Sequence, residues 1–377
     1  MSSEIIDKKY KKAAQIINTA GGTPLVVSDT LIEILKVLVE EKHLDFISAF
    51  KSKKSQTLEQ LKESSKMSDI EIKQHVESLA KIGLVFNQPN RHGVMVYRLM
   101  PYINVGIFEY TFMKKLEDTP KNREIARLFK KMADESRERL SSHYDAVLKF
   151  IQNMPPIDRT IPFKINKVTG KDIIIELNEE LETPEQKILP TQTVEELVQK
   201  FDDIAVGHCY CRHHKDLLNQ PCKQTDEREN CFTFGKSALY TSEQGFSRLI
   251  SKEEALKILK KAEEDGLVHK AYHPNFDINK PETSICNCCT CCCGQVGTLT
   301  VNATNYIAEV DPELCVGCGI CVEHCHTNTM QLNEQEKAER VGDYCIGCGS
   351  CAYFCPENAI TLVEKERIVR IPPPKPN

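Results

Sequence analysis

The sequence predicts an α+β chain of several domains, and three observations carry that prediction. Apolar residues recur at helical spacing through the N-terminal third, all 18 cysteines lie between Cys209 and Cys355, and the C-terminal cysteines form two runs of one spacing. The 377 residues are enough for two or three hydrophobic cores. With 41% hydrophobic and 27% charged residues the composition is that of an ordinary globular protein. A net charge of −5 gives no general attraction to nucleic acid or to an anionic membrane. No apolar run approaches the roughly 18 residues of a membrane span. The first residues, Met1 to Tyr10, are charged and lack the apolar stretch of an export signal, so the chain is read as cytoplasmic. In that compartment thiols stay reduced, and metal ligation explains the cysteines better than disulfides do.

From Leu31 to Ile47, Leu31, Ile34, Leu35, Leu38 and Val39 form one helical stripe. A second helix is expected over Thr57 to Lys62. A third starts at the capping box Ser68-Asp-Ile-Glu71 and stops near Gly83, with Ile72, Val76 and Leu79 facing inward. A short strand (Leu84 to Phe86), a turn-rich tip (Asn87 to Gly93) and a second strand (Val94 to Leu99) follow. Three helices and a two-stranded hairpin are the order of a winged helix, so residues 1–118 are read as a winged-helix-like domain. Asn122 to Gln152 reads as one long amphipathic helix halted by Pro155-Pro156, and 119–192 as that helix plus an irregular linker with one strand at Asp172 to Glu176. Capping boxes at Thr193-Val-Glu-Glu196 and Ser251-Lys-Glu-Glu254 predict two further helices, the second ending at Gly266. They fall in a cysteine-rich domain, 193–305. The tail, 366–377, ends in Pro-Pro-Pro-Lys-Pro and is expected to be extended.

The segment 306–365 carries the strongest pattern. Cys315-x2-Cys318-x2-Cys321-x3-Cys325 is followed by Cys345-x2-Cys348-x2-Cys351-x3-Cys355-Pro356. Three cysteines two residues apart wrap a tight turn around one face of a cubane, and the fourth reaches across to the other one. The expectation is two [4Fe–4S] clusters in a ferredoxin-like domain. One is held by Cys315, Cys318, Cys321 and Cys355, the other by Cys345, Cys348, Cys351 and Cys325. Gly317, Gly319, Gly347 and Gly349 let backbone N–H groups approach the sulfurs, and Tyr306 to Val310 and Ala359 to Val363 read as flanking strands. A pair of zinc sites is the alternative, which two intact runs argue against. His326 stands where a proline usually follows the fourth cysteine; it reads as an exposed turn residue, or as a group that makes the neighbouring potential pH-dependent.

Ten more cysteines precede these runs: Cys209, Cys211, Cys222 and Cys231, then Cys286, Cys288, Cys289, Cys291, Cys292 and Cys293. Neighbouring side chains on an extended backbone diverge, so the two groups are expected to act together as ligands. An additional Fe–S cluster or two ranks first and a structural zinc site second. Ten unligated thiols side by side would oxidise or capture metal. His208, His213 and His214 are read as hydrogen-bonding residues rather than ligands, and Arg212 as a cation beside Cys211.

The string Gly207-His-Cys-Tyr-Cys-Arg-His-His214, the helix from Ser251 to His269 and the string Cys286-Asn-Cys-Cys-Thr-Cys-Cys-Cys-Gly294 resemble a family of anaerobe 4Fe–4S ferredoxin-type proteins. The resemblance covers nearly the whole chain. It implies a winged-helix-like N-terminal region, a dicluster end, and electron transfer with no named donor or acceptor. After Gly294 the chain departs from the family pattern, with Gln295 to Thr300 in place of a longer basic helix.

Three functions follow as expectations. The first is a non-catalytic electron carrier, or an electron-transfer subunit working with a partner oxidoreductase. The second is an Fe–S redox-sensing transcription regulator. Residues 51–100 hold nine Lys/Arg against five Asp/Glu, but the third helix offers Asp69, Glu71 and Glu77 against Lys73 and Lys81, so nucleic acid is not expected as a partner. The third is an oxidoreductase with a catalytic cluster in the middle domain. No phosphate-binding loop, no G-x-G-x-x-G and no nucleophile–base set is present, and no catalytic residue is assigned.

Overall fold

The computed structural model describes residues 3–21, 25–90, 92–103, 105–175, 193–274, 277–294 and 300–375. The strands are β1 (Ser55–Gln56), β2 (Val85–Pro89), β3 (Met95–Leu99), β4 (Asp158–Ile161), β5 (Ile174–Ile175), β6 (Ile204–His208) and β7 (Glu229–Phe234). They continue with β8 (Ser247–Leu249), β9 (Val268–Tyr272), β10 (Ser284–Cys288), β11 (Thr300–Val310), β12 (Met330–Leu332), β13 (Ala338–Arg340) and β14 (Ile360–Ile371). The chain divides into two compact units. The first takes in residues 1–139, 207–221 and 238–249, and the second 140–206, 222–237 and 250–377.

In the first unit a 19-residue helix, Ser3–Gly21, precedes the segments read from the stripe at Leu31. That stripe folds as Asp29–Leu38, a 3-10 turn at Glu41–His43 and a short helix Leu44–Ser48, not as one helix. Val39 is extended, and the Tyr10 hydroxyl donates to its carbonyl at 2.8 Å, satisfying an acceptor freed by the break. Leu31, Leu35, Phe46 and Ile47 nevertheless share one core, which is why the apolar spacing reads through the break. Capping boxes at Thr57 and Ser68 start the helices Leu58–Ser65 and Asp69–Ala80. Gly83 has φ +75, and Leu84 N–H donates to the Leu79 carbonyl, closing the second helix. β2 and β3 pair antiparallel, and β1, which the sequence reading lacks, joins β3. The helix Ile107–Met113 packs against Tyr210–Leu217 in the same unit.

The long helix expected over 122–152 is two, Pro120–Ser142 and Tyr144–Asn153, with His143 at φ −124, ψ 32 between them. In the second unit one sheet has the order β5-β14-β11-β4-β9-β10-β7-β6. β4 lies parallel to β11 and β5 parallel to β14, while β4–β9, β9–β10, β10–β7 and β11–β14 are antiparallel. The region read as irregular therefore supplies an interior strand, β4. Of the strand expected at Asp172 to Glu176, Ile174–Ile175 forms; residues 176–192 lie outside the described residues, as do 295–299 after Gly294 and the last two of the tail. Thr193 and Ser251 cap Val194–Gln199 and Lys252–Glu264 as the sequence indicates, and both helices cover a core with Phe232, Phe234 and Ile285.

Candidate metal centres

The two C-terminal cysteine runs are built alike, because each repeats one local solution. In each, the third and fifth residues of Cys-x-Gly-Cys-Gly turn the backbone into a tight loop. Gly317 and Gly347 have φ +72 and +62, and Gly319 and Gly349, at +77 and +78, lead into the one-turn helices Ile320–Glu323 and Ser350–Tyr353. The fourth cysteine follows each helix, and the backbone N–H four residues further on donates to its sulfur. Thr329 N–H lies 3.2 Å from Cys325 Sγ, and Ala359 N–H lies 3.3 Å from Cys355 Sγ. Ala338 N–H donates to Cys315 Sγ at 3.3 Å. Donors aimed at sulfur favour thiolate, the form that binds metal.

The thiols sort into two sets. Burial pushes the Cys321 thiol up to about 11, and the thiols of Cys315, Cys318 and Cys355 add to the rise. A cavity lined by those four cysteines, with Ala338 and Ile360 in its walls, lies between them. Burial likewise pushes Cys348 up to about 12, with Cys345 and Cys325 adding to it, and raises Cys351, on which Cys348, Cys345, Cys325 and, least of these, Cys321 also act. Cys325 also faces the Thr329 and Thr327 hydroxyls at 3.5 and 3.8 Å; burial raises it, but these hydrogen bonds together outweigh burial and leave it lowered. Apolar walls, converging thiols and N–H donors to sulfur fit an iron–sulfur cluster. Residues 307–356 match the family of the 4Fe-4S dicluster domain. No curated protein and no solved structure matches the chain.

The dicluster segment is held from outside by residues with no local signal in the sequence. Asn166, fully buried, donates to the carbonyls of Ala352 and Cys355 at 2.7 and 2.8 Å while its Oδ1 accepts from Val168 and Thr169 N–H. It thereby fixes the turn that presents Cys355. His326 is buried rather than exposed; desolvation, opposed by a backbone hydrogen bond to Gly266, takes its imidazole down to about 4. Cys318 is exposed, as are its neighbours Leu314 and Val316, so this edge of the dicluster segment faces solvent.

Upstream, the cysteine-rich string changes conformation half-way. β10 ends at Cys288, and a turn follows in which Cys293 N–H donates to the Cys289 carbonyl. The backbone is therefore not extended throughout, and the side chains sort by face. Cys289, Cys291 and Cys292 converge with Cys222, all four sulfurs lying within 4.8 Å of one another. Cys286 and Cys288, alternate residues of β10, sit instead with Cys293, and hydrogen bonds from Cys286 and Cys293, then burial, raise the Cys288 thiol. Cys231 pairs with Cys286 across β7 and β10. The fully buried Lys270 lies near this second trio. Burial would lower its ammonium, but Asp158 at 2.9 Å, Cys288 and Cys293 outweigh that and raise it. Cys209 and Cys211 belong to the first unit, at the start of the helix Tyr210–Leu217. There His213 Nδ1 lies 2.9 Å from the Phe112 carbonyl and His214 Nε2 2.9 Å from that of Ala126, so both imidazoles are engaged with backbone. Arg212 is fully buried.

Proposed function

We propose that the chain is an iron–sulfur electron-transfer protein that passes single electrons through two [4Fe–4S] clusters to or from a partner oxidoreductase. The assignment places Cys315, Cys318, Cys321 and Cys355 on one cluster and Cys345, Cys348, Cys351 and Cys325 on the other. The observation that supports it is the cavity that Cys355 lines together with Cys315, Cys318 and Cys321, while Cys325 acts electrostatically on Cys348 and Cys351 of the other run. A bound [4Fe–4S] cluster supplies one-electron redox chemistry. The polypeptide contributes eight thiolates, N–H donors from Ala338, Thr329 and Ala359 that steady the sulfur charge, and an apolar shell. The solvent-facing edge at Leu314, Val316 and Cys318 suits the approach of a redox partner. A further cysteine-ligated site in the middle region, from among Cys209, Cys211, Cys222, Cys231 and Cys286 to Cys293, belongs to the same proposal, as does a cytoplasmic setting. Among the described residues no helix is long and apolar enough to cross a membrane.

Residues 1–118 are read as a winged-helix-like docking module; the antiparallel β2–β3 hairpin after Asp69–Ala80, with β1 on its edge, supports that reading. The same arrangement favours a second reading, an Fe–S redox-sensing regulator that binds DNA. Against it, the exposed face of Asp69–Ala80 mixes Glu71, Glu77 and Ile70 with Lys73 and Gln74, a poor match for phosphate and base edges. A salt-sensitive, sequence-selective shift of promoter DNA would install the regulator reading instead.

The test of the main reading is a count of iron and acid-labile sulfide after anaerobic purification, with EPR of the reduced protein. The ferredoxin-like runs contribute about eight irons, four per cubane. Replacing Cys315 and Cys355 with Ser removes about four, and replacing Cys345 and Cys325 removes the other four. Colourless wild-type protein with only zinc at these positions ends the proposal.

A further inference from the structure

We propose that Cys222, Cys289, Cys291 and Cys292 form a closed, tetrahedral site for a single zinc ion, separate from any iron–sulfur centre. Four thiols from two distant stretches meet at one point. Cys222 Sγ lies 3.7 Å from Cys289 Sγ and 3.6 Å from Cys291 Sγ; Cys291 Sγ lies 3.6 Å from Cys289 Sγ and 3.7 Å from Cys292 Sγ. A regular tetrahedron with such edges has its centre about 2.2–2.3 Å from each corner, and a zinc–thiolate bond is ~2.3 Å. These spacings are also far beyond the ~2.05 Å of a disulfide.

The same numbers exclude a cubane at this place. Each thiolate of a [4Fe–4S] cluster binds a different iron, so the four sulfurs stand outside the corners of the cube and cannot touch one another. Four of the six sulfur pairs are in contact and the other two lie within 4.8 Å, which leaves room for one ion. All four positions are thiolates, which gives a complete structural ligand set with no coordination position left for substrate.

The surroundings suit a staple. The Cys289 and Cys292 thiols first, and then the backbone N–H groups of Gln224 and Thr225, favour the Cys222 thiolate, the form that binds metal. Gln224 donates to the carbonyls of Asp265 and Gly266 at 3.1 and 2.7 Å, and the Thr225 hydroxyl bonds the Asp265 carboxylate at 2.6 Å. Ala262 and Leu267 pack against Cys222, Cys289 and Cys292. The ion would thus tie the loop before β7 to the turn after β10 and to the end of Lys252–Glu264. The alternation in the string Cys286 to Cys293 follows from this: Cys289, Cys291 and Cys292 turn to the zinc, while Cys286, Cys288 and Cys293 turn to the other side.

The experiment is metal analysis of the full chain purified without oxygen, beside three variants. Wild-type protein should hold one zinc per chain in addition to its iron. Cys222→Ser and Cys291→Ala should each lose that zinc and keep iron and sulfide at the wild-type level. Cys291→His should keep it, because Cys3His is also a zinc ligand set. X-ray absorption at the zinc edge should show four sulfurs at ~2.3 Å in the wild type and three sulfurs plus one nitrogen in Cys291→His. The absorption measurement on the wild type needs no folded variant, so an insoluble Cys222→Ser does not decide the matter. Zinc-free wild-type protein, or loss of iron and sulfide together with Cys222 or Cys291, overturns the proposal. The result is also independent of the electron-transfer reading: one zinc with no iron leaves this site standing and removes that reading.

Discussion

Gly317 and Gly319 share a left-handed backbone, at φ +72 and +77, yet differ in what surrounds them. A Cβ on Gly317 would lie 2.2 Å from the Glu336 carbonyl oxygen, while one on Gly319 meets nothing within 4 Å. Gly319→Ala should therefore cost only the conformational term, ~1 kcal/mol, whereas Gly317→Ala must also displace the β12–β13 turn and should cost roughly 3 kcal/mol with loss of iron. Denaturant midpoints and iron content of the two variants check this, and equal losses would remove the clash from the account. The sequence shows both glycines but not which one is wedged, because Glu336 reaches Gly317 only through tertiary structure. His214 makes a second prediction. Burial takes its imidazole down to about 4 from an ordinary 6.5, and Nε2–H donates to the Ala126 carbonyl. A histidine with a depressed folded pKa stabilises the fold above its unfolded value, and that contribution is lost as pH falls from 6.5 toward 4. Between pH 7 and pH 5 the loss is about 2 kcal/mol. Urea unfolding of the parent and of His214→Gln at both pH values should show a drop in the parent that the variant largely lacks.

At the scale of elements, capping boxes and cysteine spacing are legible because their chemistry is local: Thr57, Ser68 and Thr193 each bond a backbone group three residues away. β4 is illegible for the opposite reason. Asp158-Arg159-Thr160-Ile161 falls in a stretch read as an irregular linker, but all four residues are buried, and the polar partners of the first three lie more than a hundred positions away. Lys270 bonds Asp158 at 2.9 Å, Glu282 bonds Arg159 at 2.5 Å, and Asn302 bonds Thr160 at 3.0 Å. Asn302 Nδ2 also donates to Asp158. Breaking a buried ion pair by removing one partner leaves an uncompensated charge and costs about 3–5 kcal/mol. Lys270→Met should destabilise the second unit by that order, and adding Asp158→Asn should recover a large part of it. A double-mutant cycle in urea measures the coupling, and a silent Lys270→Met would show that Asn302 alone satisfies Asp158.

Over the whole molecule, chain order and compact units diverge. Residues 207–221 and 238–249 lie in the first unit while the stretches around them lie in the second, an exchange that no composition shift in the sequence announces. The dicluster segment is easy to find, since eight cysteines mark it, but its structural surroundings are not marked. β11 pairs with β4 at Asn302 and Ala303, β14 pairs with β5 at Leu362 and Val363, and Asn166 reaches Cys355. Phe163 and Ile173 belong to the same core as Tyr306, Cys351 and Leu362. A fragment limited to residues 300–377 would retain all eight cysteines of the two runs, yet it would lose both neighbouring strands, the Asn166 bonds and two large buried side chains. Burying Phe163 and Ile173 alone contributes roughly 3–6 kcal/mol, a substantial share of what a small domain has in hand. The fragment should accordingly take up iron on reconstitution less completely than residues 140–377 do, and should release it faster to a chelator. Iron-to-chain ratios and release half-times for the two preparations measure the difference. Equal values would mean that thiolate–iron bonding by itself holds the dicluster segment, with the rest of the sheet contributing nothing to it.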